Sequence, residues 1–388
     1  MKKLFTAALI LAVAAGLNAQ TVIKIASQSP LSGAQAEQGE YIKNGAQLAI
    51  EEAVPQFKAL GFDLQFVPYD DQAVPDTGVA NANRIINDKD ILGVVGHLNS
   101  GVMIPSSEVY NQTGLVVVSP ANTNPKVTDR LLADVNRICG RDDIQGPAGA
   151  DFAIQVLKAK KLFVINSKTA YGAGIAAEFV KEAAKLGVAV PGNANVGTEE
   201  KSDFTSLILQ IQAYKPDLIY FGGELDQVPL FTKQLRDRGI NTPLLGGDAI
   251  NADDYIKTVG AKNSTMTYYT DVGGPSTLYP DFGKKYKAKF NHDAGGYAVY
   301  AYDSANVVIT GILSSIKAAG GKKPGLVDVA KAVRTIKFKG LTGDIAFDSK
   351  GDRTQAHYYI MQYGGTEKSA DNKVFQTLTV AAPPAPSM

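Results

Sequence analysis

Residues 21–67 read TVIKIASQSPLSGAQAEQGEYIKNGAQLAIEEAVPQFKALGFDLQFV, and this stretch decides the fold class. It begins with a short β-branched run at 22–26 and ends with a second apolar run at 62–67. Between them Ile42, Ala46, Ala49, Ile50 and Ala53 fall at i, i+4, i+7, i+8 and i+11, which lines one face of a helix. Strand, amphipathic helix and strand in that order make a βαβ unit, the building block of a parallel sheet covered by helices.

Working outward, the same alternation continues. Strands are expected at 91–95 and 115–118, with helices at 77–86 and 101–110. A second series follows Asp143, with strands at 162–165, 188–190, 218–221 and 244–245 and helices at 174–186, 204–213 and 228–238. A chain of 388 residues exceeds what one hydrophobic core organises, so two α/β lobes, each a doubly wound parallel sheet, are expected. Only the tail 381–388, AAPPAPSM, has the composition of a disordered segment.

The N-terminus sets Lys2 and Lys3 before an apolar stretch from Leu4 to Leu17 and then small or polar residues, the pattern of a secretory signal peptide over 1–19, cleaved after Ala19. That stretch is short for a membrane span, which needs about 20 apolar residues. Loss of Lys2 and Lys3 leaves 37 basic residues against 38 acidic, a net charge of −1, which recommends neither nucleic acid nor an acidic membrane as partner. Cys139 is the only cysteine, so an intramolecular disulfide is excluded and stability rests on packed cores. The expected compartment is the periplasm.

Catalytic signatures are missing. His97, His292 and His357 stand far apart and outside metal-ligand spacings, and neither a G-x-S-x-G elbow, a P-loop nor a G-x-G-x-x-G follows the first strand. No enzyme activity, metal or cofactor is therefore expected. Scattered acids such as Asp248, Asp253 and Asp254 read, taken alone, as solvated loops. Loops after strands are more informative, because ligands of open α/β sheets gather there. In VVGHLNSGVM, Ser100 is expected as the N-cap of the next helix, with its hydroxyl and nearby N–H groups able to hold a carboxylate. In VVVSPANTNP, Pro120 and Pro125 frame a rigid loop carrying Thr123.

Together these segments resemble the type I periplasmic binding proteins of the Leu/Ile/Val-binding family, which serve ATP-driven (ABC) amino-acid importers. The resemblance rests on Leu31-Ser32-Gly33, Tyr69-Asp70-Asp71, Gly96-His97-Leu98, Ser119-Pro120-Ala121 with Thr123-Asn124-Pro125, and Gln145-Gly146-Pro147. It continues through Tyr171-Gly172, Asp203-Phe204, Gly222-Gly223, Gly246-Gly247-Asp248 and Asp348-Ser349-Lys350-Gly351-Asp352. It implies three crossovers, near Arg141, Thr270 and Asp348. The N-terminal lobe would comprise 21–141 and 271–347, and the C-terminal lobe 142–270 and 348–380.

By the same resemblance the ligand is a free α-amino acid, branched-chain first, received by a monomer that closes over it and delivers it to a membrane permease. Its carboxylate falls on Ser100 and Thr123. Its ammonium falls on Ala121, Thr123 and Asp248, where close relatives more often carry Glu. Gln38, Asn99, Tyr171, Glu224 and Tyr297 line the side-chain pocket, and here the chain departs from the aliphatic pattern: Gln38 replaces an aromatic, Asn99 a cysteine and Glu224 a tyrosine. A disulfide of close relatives would join positions 73 and 99, which are Ala73 and Asn99 here. A buried carboxylate beside an aliphatic side chain costs several kcal/mol, so a polar or cationic amino acid or a small amide stays open as ligand. A sensor working with a separate signalling protein, or an exported hydrolase, remains an alternative role.

Overall fold

A computed structural model describes residues 20–384, so the expected signal peptide lies outside the described residues. The first sheet contains β1 (Thr21–Ser29), β2 (Phe62–Asp70), β3 (Ile91–Gly96), β4 (Val117–Ser119) and β5 (Val135–Arg137), all parallel, in the order β2-β1-β3-β4-β5. The helix Ala36–Ala59 covers one face, and the apolar stripe Ile42, Ala46, Ala49, Ile50 and Ala53 is buried in its core. There it meets the much later helix Gly296–Ala318. The two helices approach closely at Gly45, where any side chain would strike the Ala298 carbonyl. Helices Pro75–Asn87 and Ser100–Asn111 close the other face.

The second sheet starts with β6 (Leu162–Asn166), β7 (Asn195–Gly197), β8 (Leu218–Gly222), β9 (Leu244–Gly246) and β10 (Thr267–Asp271), which are parallel. The chain then returns to the first lobe, where β11 (Lys337–Gly340) and β12 (Gly343–Ala346) form a hairpin. It ends with β13 (Gln355–Gln362) and β14 (Lys373–Ala381), added antiparallel to give β14-β13-β10-β9-β8-β6-β7. The architecture is two α/β layers of doubly wound type, with the chain passing between them three times.

Some local expectations need correction. Residues 188–190 form no strand: Val188 N–H donates to the Ala183 carbonyl and finishes the preceding helix, and Pro191 follows without an N–H to offer a ladder. The strand of that βα unit is β7, shifted to Asn195. The second sheet is mixed rather than wholly parallel. Of the tail expected to be disordered, Ala381 ends β14, Ala382 N–H donates to the Thr354 carbonyl and Lys350 Nζ to the Pro383 carbonyl at 2.6 Å, while 385–388 lie outside the described residues.

Two of the three chain passages are joined by one buried ion cluster. Asp352, 2 % exposed, accepts from Arg137 Nε at 2.6 Å and Thr128 Oγ1 at 2.7 Å on one oxygen. Its other oxygen accepts from Arg141 Nη1 at 2.7 Å and lies 3.0 Å from Lys350 Nζ. Backbone bonds run alongside, from Arg137 N–H to the Gly351 carbonyl and from Arg353 N–H to the Arg137 carbonyl. Against the cost of burial, Arg137 and Arg141 hold the Asp352 carboxyl well below the usual carboxylate range. Its stabilisation is therefore complete above the unfolded carboxylate pKa of about 3.9 and is lost as pH falls from there.

Removing one partner of a buried ion cluster strands the others. Asp352→Ala should lower unfolding free energy by about 3–5 kcal/mol in urea titrations at pH 7. A change below about 1 kcal/mol would contradict this role.

Candidate functional site

The cleft between the lobes is built from loops and helix starts beyond the carboxyl ends of β1, β3, β4, β6, β8 and β9, the position where open α/β sheets bind ligands. At its inner end lies a cavity of about 20 Å³ lined by Gln35, Gln38, Leu98, Asn99, Ala121, Tyr171, Glu224, Asp248, Ala249 and Tyr297. Gln35, Asn99 and Glu224 also line a larger space of about 680 Å³ that leads outward past Ser32, Thr169, Lys168, Lys201 and Asp226.

Asp248 is the centre of the inner end. It is 1 % exposed, one oxygen accepting from Tyr171 Oη at 2.9 Å and Gln145 Nε2 at 2.8 Å, the other from Tyr297 Oη at 2.6 Å. Its place is secured locally by Gly247, since a side chain there would collide with the Tyr171 hydroxyl. Gln145 Nε2 also reaches Asp142 Oδ1 at 3.1 Å, so one amide bridges two buried carboxylates, and Asp142 Oδ2 has no partner. Among the described residues no lysine or arginine pairs with either acid. Burial pushes the Asp248 carboxyl up, against the pull of its three donors. Burial and then the Asp248 charge push Asp142 well up, and burial drives the neighbouring Asp271 to about 7.

Ser100 and Thr123 are buried beside this cavity but are not among its lining residues. Ser100 is not the N-cap: Asn99 occupies that position with extended backbone, and Ser100 is the first helical residue. Its hydroxyl instead accepts from Asn124 N–H at 3.4 Å, which ties the helix start to the loop after β4. The Thr123 carbonyl accepts from Asp142 N–H at 2.9 Å, while its hydroxyl is buried without a partner. Asn99 donates to Gln35 Oε1 at 2.7 Å, leaving Asn99 Oδ1 buried and unpartnered. Thr169 caps the helix Ala170–Lys185 by accepting from Gly172 N–H, and its hydroxyl donates to Glu224 Oε1 at 2.7 Å.

The lobes touch across the cleft. Gln38 Nε2 donates to the Ala249 and Asn251 carbonyls at 3.1 and 3.3 Å, and Asn124 Nδ2 to the Ala170 carbonyl at 2.6 Å. Glu37 accepts from Asp253 and Asp254 N–H at 3.0 and 2.8 Å, so a first-lobe carboxylate closes the N-terminus of a second-lobe helix. Sequence reasoning missed this role of Glu37, and also missed Asp142, Gln35 and Ala249. An acid in a helix's first turn is ordinarily a surface partner of the helix dipole, and burial of Asp142 is visible only once the lobes are assembled. Gln145 stood in the motifs but without a role.

Comparison with known proteins bears on the chain as a whole. A family model described as periplasmic binding protein matches residues 22–369. An amino acid binding protein of Pseudomonas aeruginosa is 33% identical over 351 residues, covering 89% of this chain and 90% of that protein. Leu/Ile/Val-binding protein homolog 2 of Brucella abortus is 32% identical over 364 residues, covering 93% and 95%. Among solved structures, a leucine binding protein from Thermotoga maritima superposes with a TM-score of 0.80 at 24% identity, over 92% of this chain and 98% of that one. The isoleucine complex of the branched-chain amino acid binding protein LivJ from Streptococcus pneumoniae gives 0.79 at 22% identity, over 93% and 100%. These superpositions share the fold with this chain.

Buried acids with raised pKa stabilise the fold only below the unfolded carboxylate value, and that contribution drains away as pH climbs through the folded values. Ligand-free protein should therefore lose stability from about pH 4 toward pH 7. Asp248→Asn should flatten this slope in urea midpoints recorded from pH 4 to 8. An unchanged slope would show that Asp248 carries no such burden.

Proposed function

The chain belongs to the periplasmic binding protein family, and from that premise we propose that it is the amino-acid receptor of an ABC importer, closing two lobes over one free α-amino acid. The observation that carries this is Asp248: a carboxylate held by three neutral donors, next to a second buried acid, with no cation among the described residues to pair it. A buried charge of this kind is costly unless paired. An α-ammonium supplies the missing cation.

In this reading the ammonium sits on Asp248, the Ala121 carbonyl and the Thr123 hydroxyl. The carboxylate lies against Ser100 and Thr123 at the start of the helix Ser100–Asn111, where free N–H groups and the dipole favour an anion. The unpartnered Thr123 hydroxyl gains a partner by this pose. Gln38, Asn99, Tyr171, Glu224 and Tyr297 form the walls around the side chain. Leucine, isoleucine and valine, for which the relatives are named, meet this backbone end as every α-amino acid does.

Closure is a rotation of segments 21–141 with 271–347 against 142–270 with 348–380. The bonds from Gln38, Glu37 and Asn124 are closed-state contacts, and such contacts shift the population toward the closed form when ligand is present. The protein acts as a monomer in the periplasm after cleavage behind Ala19, delivers its ligand chemically unchanged to a permease, and needs no metal or cofactor.

Protein refolded free of bound ligand should gain thermal stability with one or a few of the twenty amino acids. Saturation at 100 times Kd corresponds to about 2.7 kcal/mol. Asp248→Ala should abolish the gain, and Ser100→Ala should weaken binding by about tenfold, the loss of about 1.4 kcal/mol expected for a charge-assisted hydrogen bond. No stabilisation by any amino acid would reject the proposal.

A further inference from the structure

We infer that the same cleft takes a second class of α-amino acid beyond the branched-chain ones, with a side chain ending in a cation seated between Glu224 and Asn99. The inference rests on the amino-acid reading above and concerns the opposite end of the ligand.

Glu224 is 4 % exposed; one oxygen takes the Thr169 hydroxyl and the other, Oε2, has no partner. Asn99 Oδ1 is likewise buried without a donor. Both are acceptors, and both residues line the inner cavity and the larger outer space at once. They stand where a ligand side chain leaving the narrow Asp248 end must pass.

Charge bookkeeping around the passage selects a cation over a neutral donor. The groups around Glu224 are Lys168 and Glu199, Lys201 and Asp226, with Asp248 and Tyr171 further in. Lys201 pairs with Asp226 at 2.5 Å and Lys168 lies 3.8 Å from Glu199, so among the described residues no cation forms an ion pair with Glu224, although the Lys201 charge and the Ser167 hydroxyl favour its ionised form from nearby. A guanidinium or ammonium brings donors for both orphan oxygens and neutralises the charge. Reach agrees, because Gln35, Asn99 and Glu224 line both the inner 20 Å³ and the outer 680 Å³, so a long unbranched chain directed past Glu224 has the larger space on its far side.

Burial lifts the Glu224 carboxyl to about 7, with the Thr169 hydroxyl pulling the other way. A cationic side chain binds the ionised form, so its affinity rises as pH increases through 7. An aliphatic side chain is better accommodated by the protonated form, so, the Asp248 end being common to both ligands, its affinity relative to the cationic one moves in the opposite direction.

Calorimetry of arginine, lysine, glutamine and leucine on ligand-free protein at pH 6, 7 and 8 tests this. Arginine or lysine should compete with leucine for one site and bind about tenfold tighter at pH 8 than at pH 6, the change in the ionised fraction of a group titrating at 7. E224Q should lower the ratio of basic to leucine affinity at least tenfold and remove the pH dependence of that ratio. Leucine binding without any basic ligand would overturn the inference and leave the receptor reading intact. So would glutamine binding as tightly as arginine, or a basic-ligand affinity that E224Q leaves unmoved. Failure of every amino acid would overturn both.

Discussion

The Asp352 cluster is the constraint on which the remaining structure depends. One carboxylate holds Arg137, Arg141 and Lys350, which belong to two separate passages of the chain between the lobes. Arg137 does more than complete the cluster: its Nη1 donates to the carbonyls of Asn122 and Asn124 at 3.0 and 2.9 Å. Those carbonyls flank Thr123. The loop after β4 is thus fixed from beneath by these ion pairs, and that wall of the cleft inherits its shape from residues that line neither cavity.

The contrast with the acids of the cleft separates two uses of buried charge. Asp352 is surrounded by cations and its carboxyl is held low; it serves architecture. Asp248, Asp142 and Glu224 are buried with neutral donors or unpartnered oxygens and their carboxyls are pushed up. A fold that leaves several carboxylates in this state sacrifices stability, which a cationic partner would restore. Across the cleft the lobes are linked by the amides of Gln38 and Asn124, by the helix-capping Glu37, by the Tyr297 hydroxyl on Asp248 and by the exposed Lys368–Asp293 pair at 3.0 Å.

Much of the fold was legible because its strands are buried on both faces and read as short β-branched runs between amphipathic stripes. The first βαβ unit shows this directly, with the stripe from Ile42 to Ala53 lying in the core. Elements without an apolar run were not legible. β5 reads Val-Asn-Arg and was not anticipated, since its arginine is buried only by virtue of Asp352, 215 residues away. The run 188–190 misled in the other direction, because apolar residues alone do not supply a ladder partner.

By itself the sequence determined the repeating strand and helix order, the placing of loops at strand ends, and the motifs that carry Asp248, Tyr171 and Ser100. These depend on local periodicity and on residue identity, which a chain displays without being folded. Only the tertiary structure decided which acids are paired and which are not, that Asn99 rather than Ser100 occupies the cap position, and that Gln145 joins Asp142 to Asp248 across 103 residues of chain. Burial and pairing are properties of the assembled lobes: the dielectric around a carboxylate and the donors that reach it come from segments far apart in sequence.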